Sequence, residues 1–187
     1  MRVCPGIVNS ISVLESTKLG HGIPYFPGQR ESLDGDPFWV SIGLHLMNAK
    51  PKSAYEKVGG MFYFGRMLDK IRLNARGELH PDYHANLGAK RAADGFCCGF
   101  LRVEYSEIKD RVLKGGTDLE ILHWCFEKGR KLDAVDVMIW NEFARKLGWN
   151  DPASPVLEKY KVGSGLAERA DIETMMEYFE IDEGRKA

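Results

Sequence analysis

Short capped helices are the pattern that most constrains this fold. The glycine pair Gly115-Gly116 precedes the sequence Thr117-Asp118-Leu119-Glu120. A threonine followed three residues later by a glutamate forms a capping box, in which each side chain accepts a hydrogen bond from the other residue's backbone N–H. Glycine is the usual residue just after a helix ends. The pattern therefore predicts one helix ending near residue 114 and another over 118–128.

The same reasoning predicts further helices along the chain after residue 50. Apolar residues recur there at helical spacing, and three of the segments begin at an aspartate that can cap a helix, Asp133, Asp151 or Asp171. The predicted helices cover about 61–76, 106–114, 133–147, 151–160 and 171–179. Because no strand pattern competes with them, we predict an all-α fold, a compact orthogonal assembly of about seven short helices.

The first part of the chain has a different composition. Residues 1–50 hold only eight charged side chains and four of the eight prolines, and they show no sustained helical or strand period. We therefore predict a loop-rich, loosely structured appendage over 1–46 and a helical domain over 47–187. Because Met47 begins a sequence like an ordinary bacterial translation start, one hypothesis makes 1–46 a start-site artefact, which the mass of the native protein would test.

Charge and motif content exclude several function classes. A formal net charge of −1 favours neither nucleic acid nor an anionic membrane as a partner. The longest strongly apolar stretch, 38–47, is too short to span a bilayer. Four sparse cysteines indicate no disulfide framework, which favours the cytoplasm. His80 and His84 are four residues apart, but Pro81 makes a shared helical face unfavourable, and neither a His-Glu-x-x-His or Cys-x-x-Cys spacing nor a cofactor motif is present. We therefore predict no metal site and no cofactor, and the oligomeric state stays open.

The helix predicted over 61–76 concentrates charged residues. Asp69 has Arg66 three residues before it and Arg72 three residues after it, so it can pair with either on a helix. A structural interpretation is a satisfied ion-pair network, because an isolated buried charge is very costly.

A functional interpretation of the same helix is an anion site. Arg66, Lys70 and Arg72 supply positive charge. Gly59 and Gly60 stand just before the predicted helix, where free backbone N–H groups could meet a phosphate or a carboxylate. The glycine pair is also consistent with an ordinary turn.

A set of short motifs follows residue 50: Lys57-Val58-Gly59-Gly60, Arg66-Met67-Leu68-Asp69-Lys70-Ile71-Arg72, Asp94-Gly95-Phe96, Gly115-Gly116-Thr117-Asp118, Trp140-Asn141, Arg145, Gly148-Trp149, Asp151, Asp171, Thr174 and Glu183-Gly184-Arg185. As a set they resemble a bacterial family of unknown function, the domain-of-unknown-function family 5069. The resemblance covers about 53–185. It implies a small bacterial protein and assigns it no activity, ligand or catalytic residue.

Three functions are consistent with these residues. The leading hypothesis is a cytoplasmic protein that binds a small anionic ligand, phosphorylated or carboxylated, at the site just described. The first alternative is a small transferase or hydrolase acting on a phosphorylated substrate, with Asp69 as the acid-base group. The second is a helical interaction module that meets a protein partner through exposed apolar residues such as Met175, Met176 and Phe179.

Overall fold

The computed structural model describes residues 49–187, so the predicted appendage over 1–46 lies outside the described residues. Within 49–187 the chain forms seven α-helices, one 3₁₀ helix and no strand beyond two isolated bridges. The elements are α1 Phe64–Ala75, the 3₁₀ helix Pro81–Asn86, α2 Ala93–Leu101, α3 Tyr105–Leu113, α4 Asp118–Lys128, α5 Ala134–Lys146, α6 Ser154–Gly163 and α7 Met175–Asp182. The predicted all-α fold is confirmed.

Local capping boxes fix the starts of three of the seven described α-helices, α4, α5 and α7. Thr117 and Glu120 form the predicted capping box before α4, and Asp133 forms another with Asp136 before α5. The predicted cap at Asp171 is wrong. Thr174 caps α7 instead, because Glu177 stands three residues after it and completes a capping box.

The start predicted at Asp151 is also wrong, since α6 begins at Ser154. The Asp151 carboxylate accepts hydrogen bonds from the backbone N–H groups of Gly148, at 2.9 Å, and Ala153, at 2.7 Å. It therefore holds the turn that leads into the helix. Helix α2 is not predicted by the sequence pattern, because its two glycines and two cysteines give no clear polar face.

Helix α1 runs through the main core. Phe64, Met67 and Leu68 are fully buried on it, and they share one hydrophobic cluster with Ile108 of α3 and Ile121 of α4. A smaller cluster joins α6 to α7 and the segment before α7 through Leu157, Ile172, Met175 and Tyr178. The free cysteines Cys97, Cys98 and Cys125 are buried, as thiols that pack as small apolar groups would be.

The apolar stripe of α5 faces outward. Val135, Ile139 and Phe143 recur every four residues, yet they are exposed, whereas Trp140 and Ala144 on the adjoining face are buried. The four-residue period of apolar residues therefore predicts where the helix lies, but it does not show which face is buried. Met175 and Met176 are buried, so the expectation that they form an exposed partner surface is wrong.

Candidate ligand-binding cavity and adjoining ion pairs

The Gly59-Gly60 pair forms a tight turn. Val58 and Met61 exchange two backbone hydrogen bonds across it, at 3.1 and 3.0 Å, and both glycines have positive φ angles, 55° and 84°. Such angles are those of a type I′ turn, which favours glycine at both positions. Because α1 begins only at Phe64, the predicted placement of this pair at the helix start is wrong.

The Arg66 guanidinium is bound by a carboxylate from the other end of the chain. Its Nη1 donates to Glu183 Oε2 and to the Lys52 carbonyl, both at 2.9 Å, and its Nη2 donates to Glu183 Oε1. Its side chain is only 1% exposed and lies 4.6 Å from the centre of the Phe179 ring. The predicted pairing with Asp69 is therefore wrong, since Glu183 satisfies this arginine across the fold.

The Glu183 carboxylate is the centre of this network. The Tyr83 hydroxyl donates to it at 2.6 Å, and Arg185 donates to it as well as to the Pro51 carbonyl. Burial alone would raise the pKa of Glu183, but the hydrogen bonds and the charge of Arg66 outweigh burial, so its pKa is lowered. Burial and the hydrogen bond to Glu183 raise the pKa of Tyr83.

A second buried pair joins Lys70 of α1 to Asp94 of α2. Lys70 Nζ lies 2.7 Å from Asp94 Oδ1 and 3.1 Å from the Tyr63 hydroxyl, which itself donates to Asp94 at 3.0 Å. Asp94 also accepts from the Gly88 N–H, so it fixes the loop before α2. Burial lowers the pKa of Lys70 and raises the pKa of Tyr63 well above its usual value.

Arg72 and Asp69 lie apart from these two pairs. Arg72 Nη1 donates to Asp118 at 2.6 Å, and Lys52 Nζ reaches the same carboxylate at 3.0 Å. Asp69 accepts a hydrogen bond from the Lys52 backbone N–H at 2.9 Å. The predicted pairing of Asp69 with Arg72 is therefore wrong too, because each group has a partner outside the helix.

The residues predicted to form one anion site are divided between two places. Arg66 and Lys70 line a large cavity, whereas Arg72 and Gly59 line an open surface cleft that also includes Asp118. Gly60 lines neither of these spaces. Asp69 also lines neither the cavity nor the cleft, so its catalytic role stays a prediction without support from its position.

The large cavity has a volume of about 940 Å³. Its walls are mainly apolar: Phe96 of α2, Phe143 of α5, Val156 of α6, and Met175 and Phe179 of α7. The 3₁₀ helix contributes Tyr83 and Asn86, and α1 contributes Arg66 and Lys70. Ligand pockets in proteins commonly measure about 300–1,000 Å³ and combine apolar walls with a few polar groups, as this one does.

Arg91 supplies a charge at this cavity that has no counter-ion among residues 49–187. It lies in the exposed loop between the 3₁₀ helix and α2 and lines the cavity. The ion pairs of residues 49–187 do not include it. Asp151 also lines the cavity, and its carboxylate accepts hydrogen bonds from the Gly148 and Ala153 backbone N–H groups without an ion pair among residues 49–187.

Four polar residues of this region were not predicted as site residues from the sequence: Tyr63, Asp94, Arg91 and Glu183. Asp94 carried a usable signal, since an aspartate next to the apolar run Phe96-Cys97-Cys98 would be buried and would need a partner. Glu183 stands in a motif of the resemblance but gave no sign of burial, because a glutamate near the end of a chain is ordinarily solvated.

Fold and site together define a helical protein with an apolar cavity whose polar end is built on two buried ion pairs. No curated protein matches the sequence. The chain belongs to the family described as Domain of unknown function (DUF5069), whose model matches residues 48–185, and the resemblance inferred from the motifs is confirmed. The match includes every residue that lines the cavity. Within 49–187, none of the helices is both long and apolar enough to cross a membrane.

Proposed function

We propose that this protein binds a small organic anion with an apolar body in the 940 Å³ cavity. The observation that carries the proposal is the combination of apolar walls with a cation at the same cavity, Arg91, that no described residue pairs with. Burying apolar surface of the ligand would supply most of the affinity, at roughly 25 cal/mol per Å² before the costs of association. The polar groups would fix its orientation.

The charge balance favours a carboxylate over a phosphate. Glu183 neutralises Arg66 and Asp94 neutralises Lys70, which leaves Arg91 as the cation without an ion-pair partner among the described residues that line the cavity. The Asp151 carboxylate at the same cavity is held by backbone N–H groups, and its negative charge would oppose a second charge on the ligand. A single free guanidinium matches one negative charge, and arginine binds carboxylates through two parallel hydrogen bonds. A phosphate carries about two charges at neutral pH and would leave one of them unpaired.

The two alternative functions gain less support. A transferase or hydrolase that uses Asp69 would need this carboxylate beside the ligand, and Asp69 lines neither the cavity nor the cleft. An interaction module would have to use other exposed apolar residues, such as those on α5, since Met175 and Met176 are buried. We place the binding function in the cytoplasm, where reducing conditions keep Cys97, Cys98 and Cys125 as free thiols.

A thermal-shift screen with aryl and alkyl monocarboxylates tests this function. We expect 3-phenylpropionate, indole-3-acetate or a medium-chain fatty acid to raise the melting temperature, since a ligand at 100 times its dissociation constant adds about 2.7 kcal/mol. The alcohol with the same apolar body should raise the melting temperature less than the carboxylate does. Arg91→Glu should abolish the shift, because it replaces the unpaired cation by an anion.

Lys90→Glu is the matched control for Arg91→Glu. Lys90 is the exposed neighbour in the same loop, and it does not line the cavity. We expect this variant to keep the ligand-induced shift of the wild type. The proposal is contradicted if no carboxylate stabilises the wild type, or if the two variants lose the shift equally.

A further inference from the structure

We propose that Lys70 forms an imine with the carbonyl group of an oxo acid bound in the cavity. This inference rests on the proposed function, because it names the ligand class of the same site. It adds a covalent step to binding, with Lys70 as the nucleophile and Tyr63 and Asp94 as proton carriers. The carboxylate of the oxo acid would be the group that Arg91 binds.

The position of Lys70 supports this role. Its side chain is 3% exposed, yet Lys70 lines the cavity together with Tyr63, so a molecule bound in the cavity lies beside it. Asp94 and Tyr63 account for two of the three hydrogen bonds that its ammonium group can donate. No described residue takes the third, which leaves one direction at the nitrogen for a ligand.

The groups around Lys70 Nζ suit both the neutral amine that attacks the carbonyl and the protonated imine that forms from it. Burial lowers the pKa of Lys70, which favours the neutral amine required for attack. Asp94 lies 2.7 Å away and can take the proton that the ammonium releases. The protonated imine carries its positive charge on the same nitrogen, so the pairing with Asp94 is retained once the covalent bond has formed.

The atoms and charges balance without a further reactant. Lys70 first passes one proton to Asp94, and the amine lone pair then attacks the carbonyl carbon to form a carbon–nitrogen bond. A second proton moves from nitrogen to the former carbonyl oxygen, and the Tyr63 hydroxyl, 3.1 Å from the nitrogen, is placed to carry it. Asp94 returns its proton to the resulting hydroxyl, which leaves as water, and the protonated imine remains.

Borohydride trapping on the whole protein tests the inference. The protein is incubated with phenylpyruvate or 3-benzoylpropionate, which differ in the spacing between carbonyl and carboxylate, then reduced with sodium borohydride, and the modified residue is mapped by peptide mass spectrometry. We expect one reduced adduct per chain at Lys70. Unfolding the protein in urea beforehand should abolish this selectivity, because it removes the cavity.

Lys70→Arg and Lys161→Arg form a matched pair of variants. Lys161 is also buried, but it lines none of the cavities described here and pairs with Glu158 at 3.1 Å. The adduct should disappear only in Lys70→Arg. If that variant fails to fold, peptide mapping of the wild type gives the same answer, since modification spread over many lysines would overturn the inference.

Phenyllactate separates this inference from the proposed function, because it carries a hydroxyl in place of the carbonyl of phenylpyruvate. Stabilisation by phenyllactate without a Lys70 adduct from either oxo acid would overturn imine formation and leave anion binding in place. If the carboxylates and oxo acids neither stabilise the protein nor form an adduct, both proposals fail.

Discussion

Replacing Glu183 by alanine is expected to lower the free energy of unfolding by about 3–5 kcal/mol, because it leaves the Arg66 guanidinium buried without a counter-charge. Arg66 is 1% exposed, and Tyr83 and Arg185 lose the same acceptor. Urea denaturation at neutral pH measures the change. Glu142→Ala is the control, since Glu142 is 47% exposed, its partners Arg145 and Lys146 are about as exposed, and exposed pairs contribute little.

The same pair should make stability depend on acid pH. The pKa of Glu183 is lower in the folded protein than in the unfolded chain, so its contribution is present above the unfolded value, about 4.3, and is lost as the pH falls through the folded value. The difference in the free energy of unfolding between the wild type and Glu183→Ala should therefore become smaller as the pH is lowered. Equal stability of the two proteins at neutral pH would show that Glu183 does not hold Arg66.

Replacing Asp94 by alanine should have an effect of similar size, about 3–5 kcal/mol, because Lys70 is then buried without its partner. Removing both charges with Asp94→Ala and Lys70→Met should cost much less than the sum of the two single changes, since no unpaired charge remains. A double-mutant cycle from urea denaturation measures this coupling. Additive effects would show that the two side chains do not stabilise each other.

In the folded protein, carboxylates from other elements neutralise the positive charge on α1. The sequence predicts that Arg66, Lys70 and Arg72 outnumber the carboxylate of Asp69, which holds within the helix itself. In the fold, Glu183, Asp94 and Asp118 each come from a different element and pair with one of these cations. Loss of folding is therefore the expected result of Arg66→Ala, which makes this variant unsuitable as a test of ligand binding.

Features that depend on neighbours in sequence could be predicted, and features that depend on tertiary contacts could not. The capping box of Thr117 lies within four residues, so it could be predicted from the sequence, as could the all-α class. The box of Thr174 carried the same signal and was missed because Asp171 offered a simpler cap. The pairing of Arg66 with Glu183 joins residues 117 positions apart, and no local pattern encodes it.

The cavity also depends on tertiary contacts, so it could not be predicted from the sequence. Its lining comes from α1, α2, α5, α6, α7, the 3₁₀ helix and the loops between them, so it exists only when all of them have packed. Arg91 looks like any exposed loop residue in the sequence. On α5, a four-residue period of apolar residues predicted the helix, but it could not show that Trp140 and Ala144 would form the buried face.

Isothermal titration of two tryptophan variants with a stabilising carboxylate tests the central claim, that the ligand occupies this cavity, most directly. Val156 and Val162 both lie exposed on α6, but only Val156 lines the cavity. Val156→Trp should fill part of the cavity and abolish the heat of binding, whereas Val162→Trp should bind as the wild type does. Unchanged binding by Val156→Trp, or equal loss in both variants, would contradict the account.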